Sequence, residues 1–187
     1  MAKGTRDLIL RDRLQFDTDV NGDRTLVYGR VDMSDYVNIV KKEGFAVKEI
    51  RYHLRDPVAQ NGVFDRTLRQ SASGLASVKI FSSTTAYEDI QTVGIGSPDV
   101  ISVLELQTTT ITGAGEVNFS NSALEFGTPD LHPAGYNVVS DLLVGVATKN
   151  LETMPERTLE IDIMIIGEPV KLNESDMTEM LTQQQDL

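Results

Sequence analysis

The 187-residue chain contains no Cys and no Trp, and only two His, His53 and His132. The missing thiols exclude a disulfide scaffold, a thiolate zinc site, an iron–sulfur cluster and a Cys nucleophile. Only two His, standing 79 positions apart, remove most multi-His metal sites. A cupin-type metal barrel needs two closely spaced His with a Glu and a later His, so His53 and His132 are expected to be structural or surface residues. Aromatic residues make up 6% of the chain, too few to suggest a stacking platform for sugars. No apolar run approaches the roughly 20 residues that span a bilayer. The opening Met1-Ala2-Lys3-Gly4-Thr5-Arg6-Asp7 is polar and does not resemble a signal peptide. No Gly-x-Ser-x-Gly elbow, His-Glu-x-x-His or phosphate loop is present. No catalytic, cofactor or metal residues are therefore assigned, and an enzyme is not expected. At 40% apolar residues the chain can still build a full core, and its length suits one all-β domain over residues 1–187.

Basic residues are scarce after position 70. Residues 1–70 hold 13 Lys and Arg against 11 Asp and Glu; residues 71–187 hold 4 against 17. The acidic second half repels nucleic acid and anionic lipid, which argues against uniform wrapping of a genome and against sequence-specific nucleic-acid binding. The basic residues of the first half could form one polar face, or simply be solvated charges.

Val, Ile and Thr make about a quarter of the chain, which favours pleated sheet. Strands are expected over Asp7–Phe16, Thr25–Asp32, Phe45–Arg55, Ala76–Ser82, Val100–Thr112, Glu116–Ser120, Tyr136–Thr148 and Thr158–Leu172. In Phe45–Arg55, Phe45, Val47, Ile50, Tyr52 and Leu54 alternate around a slip at Lys48-Glu49, the mark of a bulge. In Thr158–Leu172, Leu159, Ile161, Ile163 and Ile165 face one way, with Glu160 and Asp162 opposite. Alternation makes the two acids the solvated side of a sandwich. A carboxylate pair would need both acids in one cavity. Leu104–Ile111 reads as a ladder of Thr on an exposed face. Asn21-Gly22 between two strands predicts a hairpin. Ser34–Lys42 predicts a short helix, with Ser34 as N-cap, Tyr36, Val37 and Val40 on one face and Gly44 as its stop. Residues 173–187 predict a C-terminal helical tail, capped by Asn173 or Ser175, with Met177, Met180 and Leu181 on its apolar side. About eight strands, one or two short helices and no linker indicate a single jelly-roll β-sandwich.

Asp17-x-Asp19-x-Asn21-Gly22-Asp23 matches the opening of a calcium loop, but Tyr28 stands where a bidentate Glu belongs, and the flanks read as strands. A hairpin turn is the simpler reading, and a bound cation the alternative. Gly94-Ile-Gly96-Ser-Pro98 reads as a turn.

Asp141-Leu-Leu-Val-Gly-Val-Ala147, a polar turn, and Thr158-Leu-Glu-Ile-Asp-Ile-Met-Ile-Ile-Gly-Glu-Pro-Val-Lys-Leu172 with a short polar tail resemble the closing strands of single-jelly-roll major capsid proteins. That class belongs to tailless icosahedral viruses of bacteria and archaea, often with an internal membrane. About 45 residues carry the resemblance; size, lack of Cys and Thr/Val-rich strands agree in style. It implies a structural subunit of an icosahedral shell, made in a host cytoplasm and located in the virion. It also implies self-assembly or co-assembly with a related subunit, with other virion proteins or an inner membrane as further partners. Residues 56–75, residues 127–135 and both termini are the expected inter-subunit contacts. The alternative is a carbohydrate- or ligand-binding β-sandwich module.

Overall fold

The structure, a computed structural model, describes residues 7–127 and 135–183. Among the described residues nine strands form two antiparallel sheets: β1 (Leu8–Asp17), β2 (Arg24–Val31), β3 (Glu43–Arg55), β4 (Gly74–Ser83), β5 (Val100–Gly113), β6 (Glu116–Phe126), β7 (Tyr136–Val138), β8 (Leu142–Lys149) and β9 (Thr158–Lys171). A short helix, α1 (Glu174–Gln183), follows. The four-stranded sheet runs β1-β9-β3-β7 and the five-stranded sheet β2-β8-β4-β5-β6.

The pairs β1–β9, β2–β8, β3–β7 and β4–β5 are nested, as in one long antiparallel hairpin. Wrapping that hairpin into two layers adds β3–β9 and β4–β8. This is the jelly-roll order, expected from the strand pattern, and it leaves an open sandwich. One strand lies outside the nesting: β6, laid against the far edge of β5.

Period-two alternation builds the core. Leu14 and Phe16 of β1, Leu159, Ile161, Ile163 and Ile165 of β9, and Phe45, Val47, Ile50 and Leu54 of β3 meet Ala76, Val78 and Ile80 of β4, Leu104 and Leu106 of β5, and Val144 and Val146 of β8. The slip in β3 is a bulge between Val47 and Glu49; without it Ile50, Tyr52 and Leu54 would turn to solvent.

Four expectations are corrected. Asn21-Gly22 does turn, but β1 and β2 do not pair with each other. Each finds its partner near the other end of the chain, because the core is closed by pairing first strands with last. Ser34–Lys42 is not helical: Tyr36 and Val37 donate to the Met33 carbonyl, and Asn38 pairs with Glu43 across a tight turn. Tyr36 and Val37 still pack on the core, but the Asn38–Glu43 pairing turns the chain before Val40, which is 92% exposed. Tyr136–Thr148 is two strands, since the chain changes sheets at Ser140-Asp141, where the Asp141 carboxylate accepts the Met33 N–H and pairs with Arg30. β6 runs six residues past the expected Ser120, because β5 offers a ladder along its whole length.

Candidate functional site

Three surfaces contain the residues singled out from the sequence. The first is the outer face of the four-stranded sheet. The ladders place Arg11, Met164 and Arg51 in one row, Arg13, Asp162 and His53 in the next, and Gln15, Glu160 and Arg55 in a third. Arg13 Nε lies 2.6 Å from Asp162, and Arg55 and Gln15 donate to Glu160 at 3.1 and 2.8 Å. Glu160 is buried rather than solvated, because the arginine and glutamine stems from both neighbouring strands fold over it. The charge asymmetry of the sequence resolves here: cations of the first half flank acids of the last strand. Both carboxylates are occupied by guanidinium groups, a poor arrangement for general acid–base chemistry. His53 is exposed, with Nδ1 3.9 Å from Asp162. A shallow groove of about 690 Å³ lies here, lined by Arg11, Arg13, Arg51, His53 and Met164 among others.

The second surface is the β3–β4 connection, residues 56–73. Much of it turns inward. Asp56 is buried and pairs with Arg157. Phe64 and Leu68 enter the core. Thr108, buried on the inner face of β5, accepts the Leu68 N–H at 3.1 Å; Thr110 donates to the Arg69 carbonyl at 2.9 Å. The expected exposed Thr ladder is therefore half internal, because even-numbered β5 residues face the core and the loop plugs its end. Glu152 accepts from the Ser71 N–H and hydroxyl and from the Gln70 N–H, and lies 3.1 Å from Arg69. Burial pushes its carboxyl up, but these donors outweigh burial and hold it below its ordinary range. The connection still offers Val58 and Val63 outward.

The outer face of the five-stranded sheet was less legible. The β4–β5 connection folds over it, and Phe81, Val93, Val100 and Val103 form a second small core with Tyr28 and Tyr87. Tyr28 and Tyr87 each meet Phe81 edge-on, at 5.7 and 6.3 Å. Gly145 lies between Tyr28 and Phe81 in the ladder, and a Cβ there would overlap the Phe81 ring. A mostly apolar strand centred on Gly was the available signal.

The third surface is β6, exposed at every residue and on both faces. Val117, Phe119, Leu124 and Phe126 are large apolar side chains left in solvent. Among the described residues no strand of the four-stranded sheet lies beyond β3 and the short β7 to cover it.

The calcium-loop pattern is spent on structure. Asp19 Oδ1 accepts the N–H groups of Asn21 and Asp23, Asp17 accepts from Thr158, and Asp23 holds Lys149 and the Asn150 N–H. Burial raises the Asp23 carboxyl, but those two donors prevail and lower it. Among the described residues no three His, Asp or Glu side chains gather into a metal-holding group. Asn173, not Ser175, caps α1, accepting the Asp176 N–H at 2.8 Å; Met177 is buried beneath the helix. His132, residues 128–134 and the terminal residues 1–6 and 184–187 lie outside the described residues.

No protein-family model matches the chain, and a search of curated proteins finds no match.

Proposed function

We propose that this chain is a structural subunit of an icosahedral viral shell, assembling with copies of itself or with a related subunit. The carrying observation is the jelly-roll sandwich joined to a long, wholly exposed strand, β6, that bears four large apolar side chains and adds nothing to its own core. A rigid two-layer body with exposed apolar edges suits tiling, in which many modest contacts sum to a stable lattice. The resemblance of residues 141–172 to the closing strands of capsid jelly rolls supports the same function. The test is negative-stain electron microscopy and sedimentation of concentrated protein, alone and co-expressed with a related subunit from the same source. Closed particles or symmetric capsomers are expected. A strictly monomeric protein under all these conditions overturns the proposal.

A ligand-binding module is the second reading, favoured by the groove around Met164. Its arginine rim suits an anionic ligand, while the Tyr52 ring beneath it points into the sandwich toward Ser102 and offers no sugar-stacking platform. Calorimetric titration with anionic and neutral glycans tests it; heat from saturable binding at micromolar concentrations would move the balance.

A further inference from the structure

We infer that β6 is a self-pairing strand: two copies of this chain join their five-stranded sheets edge to edge, antiparallel, about a two-fold axis at Asn121. This deepens the assembly proposal, and rests on it, by naming the partner and the element.

β6 is not part of the nested jelly-roll pairing, and all eleven of its residues are exposed. Natural sheets guard a free edge with Lys, Pro, a bulge or extreme shortness. β6 has none of these. Its ladder with β5 runs without a slip from Val103–Phe126 to Gly113–Glu116, and its sequence, EVNFSNSALEF, lacks Lys, Arg and Pro. Such a strand is a ready template for another strand.

The free groups can be assigned. Ala114 and Gly115 both have positive φ, 50° and 82°, as a two-residue type I′ turn requires. Gly113 and Glu116 close that turn, so their backbone groups face each other. Alternation then points the N–H and C=O groups of Val117, Phe119, Asn121, Ala123 and Glu125 away from β5, into solvent. Pairing about Asn121 sets Phe119 against Ala123 of the second copy, Val117 against Glu125, and Asn121 against itself, satisfying all of them with about ten hydrogen bonds.

Hydrogen-bond count selects this register, since only pairing about Asn121 engages all five outward residues, and charge is compatible with it. Each copy carries a net charge of −11, so two copies repel overall, and an edge with few charges adds least to that repulsion. β6 bears only Glu116 and Glu125. About Asn121, Glu116 faces Phe126 of the second copy and Glu125 faces Val117, so no carboxylate opposes another. A two-fold perpendicular to the sheet also keeps both inner faces on one side, joining Val117 and Phe119 to Ala123 of the other copy. The contact area sets its strength. A strand about 37 Å long on a sheet about 10 Å thick buries roughly 750 Å² in total, below the ~1,200 Å² of stable free-standing complexes. The dimer is accordingly weak and concentration-dependent, as a lattice contact should be.

The test uses the full chain, whose lack of Cys makes single cysteines clean probes. Asn121→Cys places two thiols opposite one another across the axis, with Cα atoms about 5.5 Å apart, within disulfide range. In Val117→Cys the thiols lie about 27 Å apart. Oxidation should cross-link the first at least about tenfold faster than the second. Ala123→Pro removes an outward N–H and leaves the β5 ladder intact, so it should weaken dimerisation at least about tenfold by sedimentation equilibrium with little change in melting temperature. If that variant misfolds, Asn121→Lys sets two ammonium groups face to face and serves the same purpose. Equal cross-linking rates, or particles that form despite these substitutions, overturn the pairing and leave the shell proposal standing. A disulfide-linked dimer of the Asn121→Cys variant without particles upholds the pairing and sinks the shell. A monomer at millimolar concentration overturns both.

Discussion

Single residues set where the two sheets can approach. Gly22 has φ +73°, and a Cβ there would overlap the Leu151 carbonyl. Gly22→Ala is thus expected to cost at least about 2 kcal/mol, from left-handed strain plus a backbone clash, read as a lowered denaturation midpoint with unchanged slope. Tyr52 is a polar side chain that crosses between sheets. Its hydroxyl lies 2.6 Å from Ser102 Oγ, which lies 2.7 Å from Ser82 Oγ. Burial pushes the Tyr52 phenol up to about 12, against hydrogen bonds from Ser102 and Ser82 that lower it. The folded state therefore holds this proton more tightly than the unfolded state, whose phenol titrates near 10. Between about pH 10 and 12 the unfolded chain releases it first, and stability falls with rising pH. Tyr52→Phe should cost about 1 kcal/mol at neutral pH and flatten this alkaline decline, measured by urea unfolding at about pH 8 and about pH 11.

At the scale of elements, the β3–β4 connection behaves as a plug. Leu68 is fully buried, and its N–H is held by Thr108. Leu68→Ala should cost about 2–5 kcal/mol by opening a cavity the sheets cannot close. The same connection is tethered at residues 69–71 by Glu152, whose carboxyl is held below its ordinary range. A depressed carboxyl stabilises above the ordinary carboxylate pKa and loses that contribution as pH falls through its folded value. Protection factors of the Gln70 and Ser71 amides, taken against the intrinsic exchange rate at each pH, should therefore fall on acidification, and Glu152→Gln should reproduce that protection loss at neutral pH. The plug also explains why a long polar stretch is ordered: its hydroxyl and carboxylate anchors stand on β5 and on the β8–β9 connection.

For the whole molecule, charge decides how copies meet. At −11 each, two chains repel at low ionic strength. Salt screens exposed charges, with a Debye length of roughly 30 Å at 0.01 M and about 3 Å at 1 M. Self-association through an edge with few charges should thus strengthen as salt rises, visible as a higher weight-average sedimentation coefficient. Association that weakens with salt would mean that ion pairs, not backbone pairing and apolar contact, hold the copies together.

Alternation is a local property, so the strands, the bulge at Lys48-Glu49 and the inward set of β9 could be read from residue order alone. The capped C-terminal helix was legible for the same reason: Asn173 and Met177 announce it within one turn. Pairing is not local. Asn21-Gly22 looks like a hairpin because nothing nearby says that β1 belongs with β9, far along the chain. Ser34–Lys42 has a helical cap and spacing, but Asn38 pairs with Glu43 and pulls the segment into a turn, leaving Tyr36 and Val37 on the core and Val40 in solvent. Glu160 alternates like a solvent residue, and only the arrival of Arg13 and Arg55 from two other strands buries it. Composition settled that this chain would be a sheet protein; the order in which distant strands meet decided which edge was left open, because ladder hydrogen bonds are satisfied by whichever strand the shared core brings alongside.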